Sequence, residues 1–284
     1  MNKIAILVDS CTDVPKEYKE RYHIYVMPLM IIYKDKEYYD GVNITPEEVY
    51  ERFKQEIPTT SLPSPEAVMN AFKQIKEDGY THVIAITISS GLSNTWNLVS
   101  SVAREFEGLT TTVIDTKNIG IGAGFSAILA GQLLEQGVSY EETCKRLIEN
   151  VAYTKLFFCV STLEYLHKGG RIGLVSSLLG TAFDLKPIIS CNENGIYYTV
   201  AKVRGRNKSL KKAVELAEGF AKQCEKYNLT VMHGGAKEEA DKIACELKAL
   251  LPNIQIMVEG QITPALVVHT GPGLIGIGVQ RLVD

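Results

Sequence analysis

The chain has 284 residues, a formal net charge of -3 and 45% hydrophobic residues, with 30 basic side chains against 33 acidic ones. That balance carries no nucleic-acid signature, and no apolar run reaches the length of a membrane span. The length exceeds what one layered core usually encloses, so two subdomains are expected.

Met1-Asn2-Lys3 precedes an apolar run too short for a signal peptide. The cysteines Cys11, Cys144, Cys159, Cys191, Cys224 and Cys245 lack C-x-x-C spacing; they read as reduced thiols of a cytoplasmic protein, with no zinc site. Residues 3–8 predict a strand, followed by the polar loop Asp9-Ser10-Cys11-Thr12-Asp13 and a helix to about Arg21. Cys11 invites a nucleophile reading, but Asp9 and Asp13 beside it would raise its pKa. Residues 24–32 predict a second strand and residues 33–39 an exposed hairpin. Thr45-Pro46-Glu47-Glu48 supplies an N-cap, a proline in the first turn and a capping-box glutamate for a helix to about Gln55.

Pro63 and Pro65 keep residues 59–66 extended, and Ser64-Pro65 opens another helix. The hydroxyls of that strip either stand exposed on a turn or face the loop that follows the next strand. That strand is the apolar, β-branched run of residues 83–88, and it leads into Ser89-Ser90-Gly91-Leu92-Ser93-Asn94-Thr95 and a helix over residues 96–106. Strand, glycine turn and helix start make an anion site, because the first helical N–H groups have no intrahelical acceptor. Hydroxyls without a lysine suit a singly charged head such as a carboxylate. The alternative is that Ser93 or Asn94 only caps the helix.

Residues 111–114 predict a strand, and residues 119–131 form a segment apolar on all sides and rich in glycine. Glycines inside a helix cost about 1 kcal/mol each relative to alanine. Either close packing on the sheet or room for a long apolar ligand can offset that. Ser139-Tyr140-Glu141-Glu142 reads as a second capping box, opening a helix to about Tyr153, and the subdomain boundary is placed near Thr154.

In the second half, residues 156–160 predict a strand, and residues 162–168 a short helix stopped by Gly169-Gly170, with Arg171 on a mobile tip. Residues 183–189 and 196–203 predict a hairpin around Asn192-Glu193-Asn194-Gly195. The basic strip Lys202, Arg204, Arg206 and Lys208 reads as solvated surface or as a contact for an acidic partner or phosphate. A helix over 209–227, a strand over 229–232, a helix over 236–251 and a strand over 254–258 follow. A last strand over 265–268 would set His269 at its C-terminal end, the usual ligand edge of an α/β sheet; the alternative is a plain structural histidine.

Gly271-Pro272-Gly273-Leu274-Ile275-Gly276 spells a dinucleotide fingerprint but lacks a following helix and a ribose-binding acid. No P-loop occurs, no G-x-S-x-G elbow surrounds Ser93, and no histidine pair has ligand spacing. These absences point to binding rather than chemistry. The alternative is an α/β hydrolase or transferase that uses Ser93 or Cys11 on a small acyl or phosphorylated substrate.

Taken together, the motifs resemble the DegV family of bacterial fatty-acid-binding proteins along essentially the whole chain. The resemblance rests on the Asp9 to Asp13 loop, Thr60-Ser61-Leu62-Pro63-Ser64, the Ser89 to Thr95 loop, Thr162-Leu163-Glu164-Tyr165-Leu166 with Gly169-Gly170-Arg171-Ile172, and His269-Thr270-Gly271-Pro272-Gly273. Leu62 stands where the family has glutamine, and Asn94 where it has glycine. The resemblance implies two α/β domains: residues 1–154 with a mostly parallel Rossmann-like sheet and the Thr60 and Ser93 loops, and residues 155–284, mixed α/β, with Arg171 and His269. A long-chain fatty acid such as palmitate would lie in a tunnel between them. Thr60 and Ser93 would hold its carboxylate, with Asn94 and His269 completing the head-group site. The resemblance also implies a non-catalytic subunit, without cofactor or metal, that presents the acid to a separate fatty acid kinase. Arg171, and Arg204 from the basic strip, would meet that partner; neither nucleic acid nor membrane insertion is expected.

Overall fold

A computed structural model describes residues 3–179 and 184–282. Strands Tyr25–Met27, Ile4–Asp9, His82–Thr87 and Thr110–Asp115 lie side by side in that order, all parallel. Successive side chains point to opposite faces of a strand, so each apolar run feeds two cores. Ala5, Leu7, Val83 and Ala85 meet Val68, Phe72 and Val99 from helices Pro65–Glu77 and Thr95–Glu105. Ile6, Val8, Ile84 and Ile86 meet Ala127, Ala130 and Leu147 from helices Ile121–Glu135 and Tyr140–Asn150. Burial on both faces is why these strands read as near-continuous apolar runs.

A second sheet begins at Thr154 and has six strands, in the order Tyr197–Arg204, Leu185–Cys191, Thr154–Cys159, Leu274–Leu282, Lys226–Gly234 and Ile254–Gln261. Its pairs are antiparallel except the last. A small antiparallel sheet, Glu37–Tyr39, Met30–Ile32 and Thr59–Ser61, completes the architecture. One apolar cluster joins the small sheet, the six-stranded sheet and helices Ile121–Glu135 and Pro264–Thr270, with Ile31, Phe125, Phe158 and Val267 among its members.

Several elements depart from the sequence expectation. Residues 24–32 are not one strand: Tyr25–Met27 belongs to the parallel sheet and Met30–Ile32 to the small one. Pro28 has no N–H to continue a ladder, and the Leu29 N–H turns to Ser10 Oγ at 3.0 Å. The hairpin after it buries Tyr33 rather than exposing it. Residues 265–268 form part of a helix, Pro264–Thr270, not a strand. An all-round apolar run hides the helical period, and Pro264 in the first turn was the available signal. The helix expected over 209–227 runs instead over Arg206–Ala221. Ser139 accepts from the Glu142 N–H, but Glu142 turns its side chain to Arg146 at 2.8 Å, so the second capping box is half made. The Thr45 box is complete. The start of the predicted hairpin at Phe183 lies outside the described residues.

Close packing offsets the glycines of Ile121–Glu135. A Cβ at Gly124 would overlap the Thr12 carbonyl oxygen, and one at Gly131 the Tyr22 ring. Gly219, exposed on its helix, has open space beside it. Gly124→Ala is therefore expected to destabilise by about 1–3 kcal/mol, and Gly219→Ala to stabilise by up to about 1 kcal/mol. Chemical denaturation of the two variants checks both signs.

Candidate functional site

Two carboxyl groups from the first part of the chain fix the start of helix Pro264–Thr270. Asp40 Oδ1 accepts from the Ala265 N–H at 2.8 Å, and Asp13 Oδ1 from the Thr263 N–H at 3.2 Å. Both therefore satisfy N–H groups that a helix start leaves without intrahelical acceptors. The far end of the same helix delivers His269, whose Nε2 lies 2.6 Å from Thr60 Oγ1. Gly169 sits against His269 Nδ1, where any Cβ would collide with the ring.

The Ser89 to Thr95 loop is held from several sides. Asp9 Oδ2 accepts from the Ile88 N–H at 2.8 Å, and Asp115 Oδ1 from the Ser90 N–H at 3.1 Å. Ser89 Oγ donates to the Gly195 carbonyl at 2.8 Å, so the loop seats on the tip of the 185–204 hairpin. Gly91 is required there because a Cβ would press on the Asn194 and Gly195 carbonyls. The Leu92 and Ser93 N–H groups both bond the Ser89 carbonyl. The N–H groups of Ser90, Gly91, Leu92 and Ser93 are thus taken, and the Ser93 hydroxyl, bonded to Thr95 Oγ1 at 2.8 Å, stands in the cavity wall.

Two adjoining cavities share Ile119, Tyr197, Leu266 and Thr270 in their walls. One, with about 470 Å³ between its wall atoms, mouth included, carries Thr60, Ser93, Arg171 and His269. The other, about 400 Å³ on the same measure, is walled by Leu156, Phe158, Met232, Ile262 and Leu274, with Asp13 at one side. The polar side chains gather in one cavity, and the other is oily.

Thr60, Ser93 and His269 are therefore brought together as expected. Asn94 is not: its side chain is exposed and accepts from Asn97 Nδ2. Arg171 is not on a mobile tip, since Nη1 donates to the Gly169 carbonyl at 2.9 Å and Nε to the Leu92 carbonyl at 3.3 Å. It places a fixed positive charge in the wall, a role its spacing after a glycine pair did not reveal. Arg204 stands exposed on an edge strand of the six-stranded sheet, outside the cavity walls. Arg206, from the same basic strip, is committed to Glu239 at 2.9 Å and to the Gly273 carbonyl at 2.6 Å. Among the described residues no group of side chains could hold a metal ion, and no helix is long and apolar enough to cross a membrane.

Burial dominates the electrostatics. It pushes Asp9 up to about 7, against hydrogen bonds from the Ile88 and Cys11 backbone. It pushes Asp13 up to about 8, with help from Asp40, which is itself raised by burial. Burial, then Asp40, Asp9 and Asp13, also hold the Cys11 thiol well above its ordinary range, which disfavours the nucleophilic thiolate. His269 goes the other way, to about 3, through desolvation and then Arg171.

A raised carboxyl binds its proton more tightly folded than unfolded, so its stabilising effect is full below the unfolded pKa and lost as pH climbs through the folded one. For Asp13 that loss extends to about 8. His269, neutral in both states above its unfolded pKa of about 6.5, does not interfere on the alkaline side. The melting temperature should therefore fall between about pH 6.5 and about pH 8.5, and Asp13→Asn should flatten that slope while keeping an acceptor for Thr263. An unchanged slope in thermal unfolding would show that Asp13 is ionised throughout.

Comparison with known proteins places this architecture. The DegV family model, described as an uncharacterised protein of that family, matches residues 3–282. A DegV domain-containing protein of Clostridium acetobutylicum is 42% identical over 283 residues, covering 99% of this chain and 100% of that one. A solved structure of a DegV family protein from Thermus thermophilus, described by its fatty acid binding, superposes with a TM-score of 0.93 at 28% identity, covering 99% of this chain and 100% of that one. A stearic acid-binding protein from Eubacterium ventriosum superposes with a TM-score of 0.88 at 30% identity, covering 99% and 98%. The chain belongs to the DegV family.

Proposed function

We propose that this protein binds a long-chain fatty acid between its two halves, residues 1–154 and 155–284, with the carboxylate at Thr60, Ser93 and His269 and the chain in the apolar cavity. The observation that carries this reading is that a cavity bearing Thr60, Ser93, Arg171 and His269 shares the wall residues Ile119, Tyr197, Leu266 and Thr270 with one walled almost wholly by apolar side chains. Similar proteins described as binding fatty acids support it.

The Thr60–His269 bond explains how the head group is held. A neutral imidazole carries one N–H. His269 Nδ1 is buried without a partner, and a buried orphan N–H is rarer than an orphan acceptor. The proton therefore belongs on Nε2, which donates to Thr60 Oγ1 and leaves the Thr60 hydroxyl proton free for a carboxylate oxygen. Arg171 supplies the compensating charge, since an unpaired buried carboxylate is costly. Burying about fifteen methylenes at about 0.8 kcal/mol each gives roughly 12 kcal/mol before association costs. Affinity resides in the oily cavity, and the polar end sets register.

The role is one of binding without catalysis. A histidine held near 3 is a weak general base at neutral pH, and Ser93 is bonded to Thr95 rather than to a base. In this reading the bound acid is presented to a fatty acid kinase, with Arg171 and the exposed Arg204 at the contact. Denaturing mass spectrometry of the purified protein should release long-chain acids. Thr60→Ala combined with Ser93→Ala should weaken retention at least about tenfold, the scale of one lost charge-assisted hydrogen bond. No released lipid together with no uptake of added palmitate would sink the proposal.

A further inference from the structure

Strand Leu274–Leu282 lies inside the six-stranded sheet, paired on both sides, and its residues alternate between two cores. Ile275 and Ile277 belong to one core, with Leu210 and Leu247. Leu274 and Gly276 face the other way and wall the oily cavity. Gly276 pairs directly with Phe158 on one neighbouring strand and with Met232 on the other, and both also stand in that wall. Directly paired residues share a face of a sheet. The wall therefore presents bare backbone between two large side chains.

Glycine inside a strand weakens it, and marks a bulge, a tight bend or the close approach of a ligand or another backbone. At Gly276 the register runs unbroken on both sides, so there is no bulge. Its φ lies outside the left-handed region. No backbone crowds it: the atoms nearest to an added Cβ are side-chain carbons of Leu156, Phe158 and Leu274, at 3.7, 3.9 and 4.0 Å. Those are ordinary van der Waals distances. Gly278, two residues along the same face, differs. A Cβ there would come within 2.6 Å of Thr230 Cγ2, and the Thr230 hydroxyl is tied to the Val258 carbonyl at 2.9 Å. Packing dictates Gly278 and does not dictate Gly276.

We infer that Gly276 is a specificity-determining residue: the distal part of an acyl chain lies against its bare backbone, between Phe158 and Met232, and the space it leaves sets the longest chain the cavity takes. This rests on the fatty-acid reading above and adds a length limit to it. The ligand class that follows is an unbranched acid long enough to reach the sheet when its carboxylate is held in the adjoining cavity of Thr60 and His269.

The test is competitive binding of lauric, myristic, palmitic and stearic acids to wild-type protein, Gly276→Ala and Gly276→Val. Alanine should lower the affinity for the longest acid that wild type binds, relative to lauric acid, about fourfold, the effect of one methylene kept out of the cavity. Valine should lower that ratio about tenfold or more and move the optimum to a shorter acid. Lipid-extracted Gly276→Ala should also melt above lipid-extracted wild type, because glycine loses more conformational freedom on folding. Stability and long-chain affinity then move in opposite directions, which a merely structural glycine would not produce. If Gly276→Val does not fold, Gly276→Ala decides. A Gly276→Ala protein that melts lower, or does not fold, shows the space to be closed and overturns the inference. So does a ratio unchanged in the variants, whether every affinity is kept or all fall equally, and so does a wild type that binds lauric acid and nothing longer. Each of these leaves fatty-acid binding standing. Wild-type protein that binds none of the four acids overturns both.

Discussion

Helix Pro264–Thr270 is seven residues long, too short to persist on its own in water. Its place is dictated from outside. Asp40 and Asp13 hold its first turn, Thr60 meets its last, and Asp40 is itself held by Ser10, whose Oγ also receives the Leu29 N–H. Every one of those partners comes from the first 60 residues, while the helix lies near the chain's end. The meeting of Thr60 with His269 therefore exists only when distant parts of the chain are docked, and its geometry is a property of that docking rather than of any one loop.

The protonation states make the docking compatible with an acidic ligand. Ionised Asp9, Asp13 and Asp40 beside the cavity would repel a carboxylate and be poorly solvated themselves. Burial raises all three, to about 7 for Asp9 and about 8 for Asp13, and because Asp13 lines the oily cavity, that wall is less negative at neutral pH than its residue types suggest. The same low-dielectric surroundings keep His269 uncharged. What remains is a wall of neutral donors with one fixed cation, Arg171, tied by its guanidinium to backbone carbonyls. Such a site attracts a single negative charge without requiring a second titration to prepare it.

Much of this was legible in the sequence where local chemistry decides the outcome. The Thr45 box and the Ser64 cap are observed as read, because a cap is specified within four residues. The parallel strands were visible as β-branched runs, and the motif resemblance paired Thr60 with His269 across the chain. Elsewhere the deciding partner was remote. No local pattern shows that Asp40 caps a helix more than two hundred residues away, or that Asp9 takes the Ile88 N–H and Asp115 the Ser90 N–H. The 265–268 run failed for a different reason: burial on every side erases the period that separates helix from strand.

The glycines bind these observations into one argument. Gly91 and Gly195 let the Ser93 loop meet a hairpin tip from the second sheet at backbone contact, and Gly169 lets a neighbouring turn close on the His269 ring. Each trades a side chain for proximity at the mouth. Side chains at those contacts could change rotamer and leave the mouth variable in width; backbone pressed on backbone, in packing as dense as an organic crystal, has little room to do so. The oily cavity, by contrast, is walled by Leu, Ile, Met and Phe side chains, of which methionine in particular repacks readily. Under the proposed function, a fixed mouth and an adaptable interior would together hold one end of a ligand in register while leaving the shape of its other end open to selection by the wall.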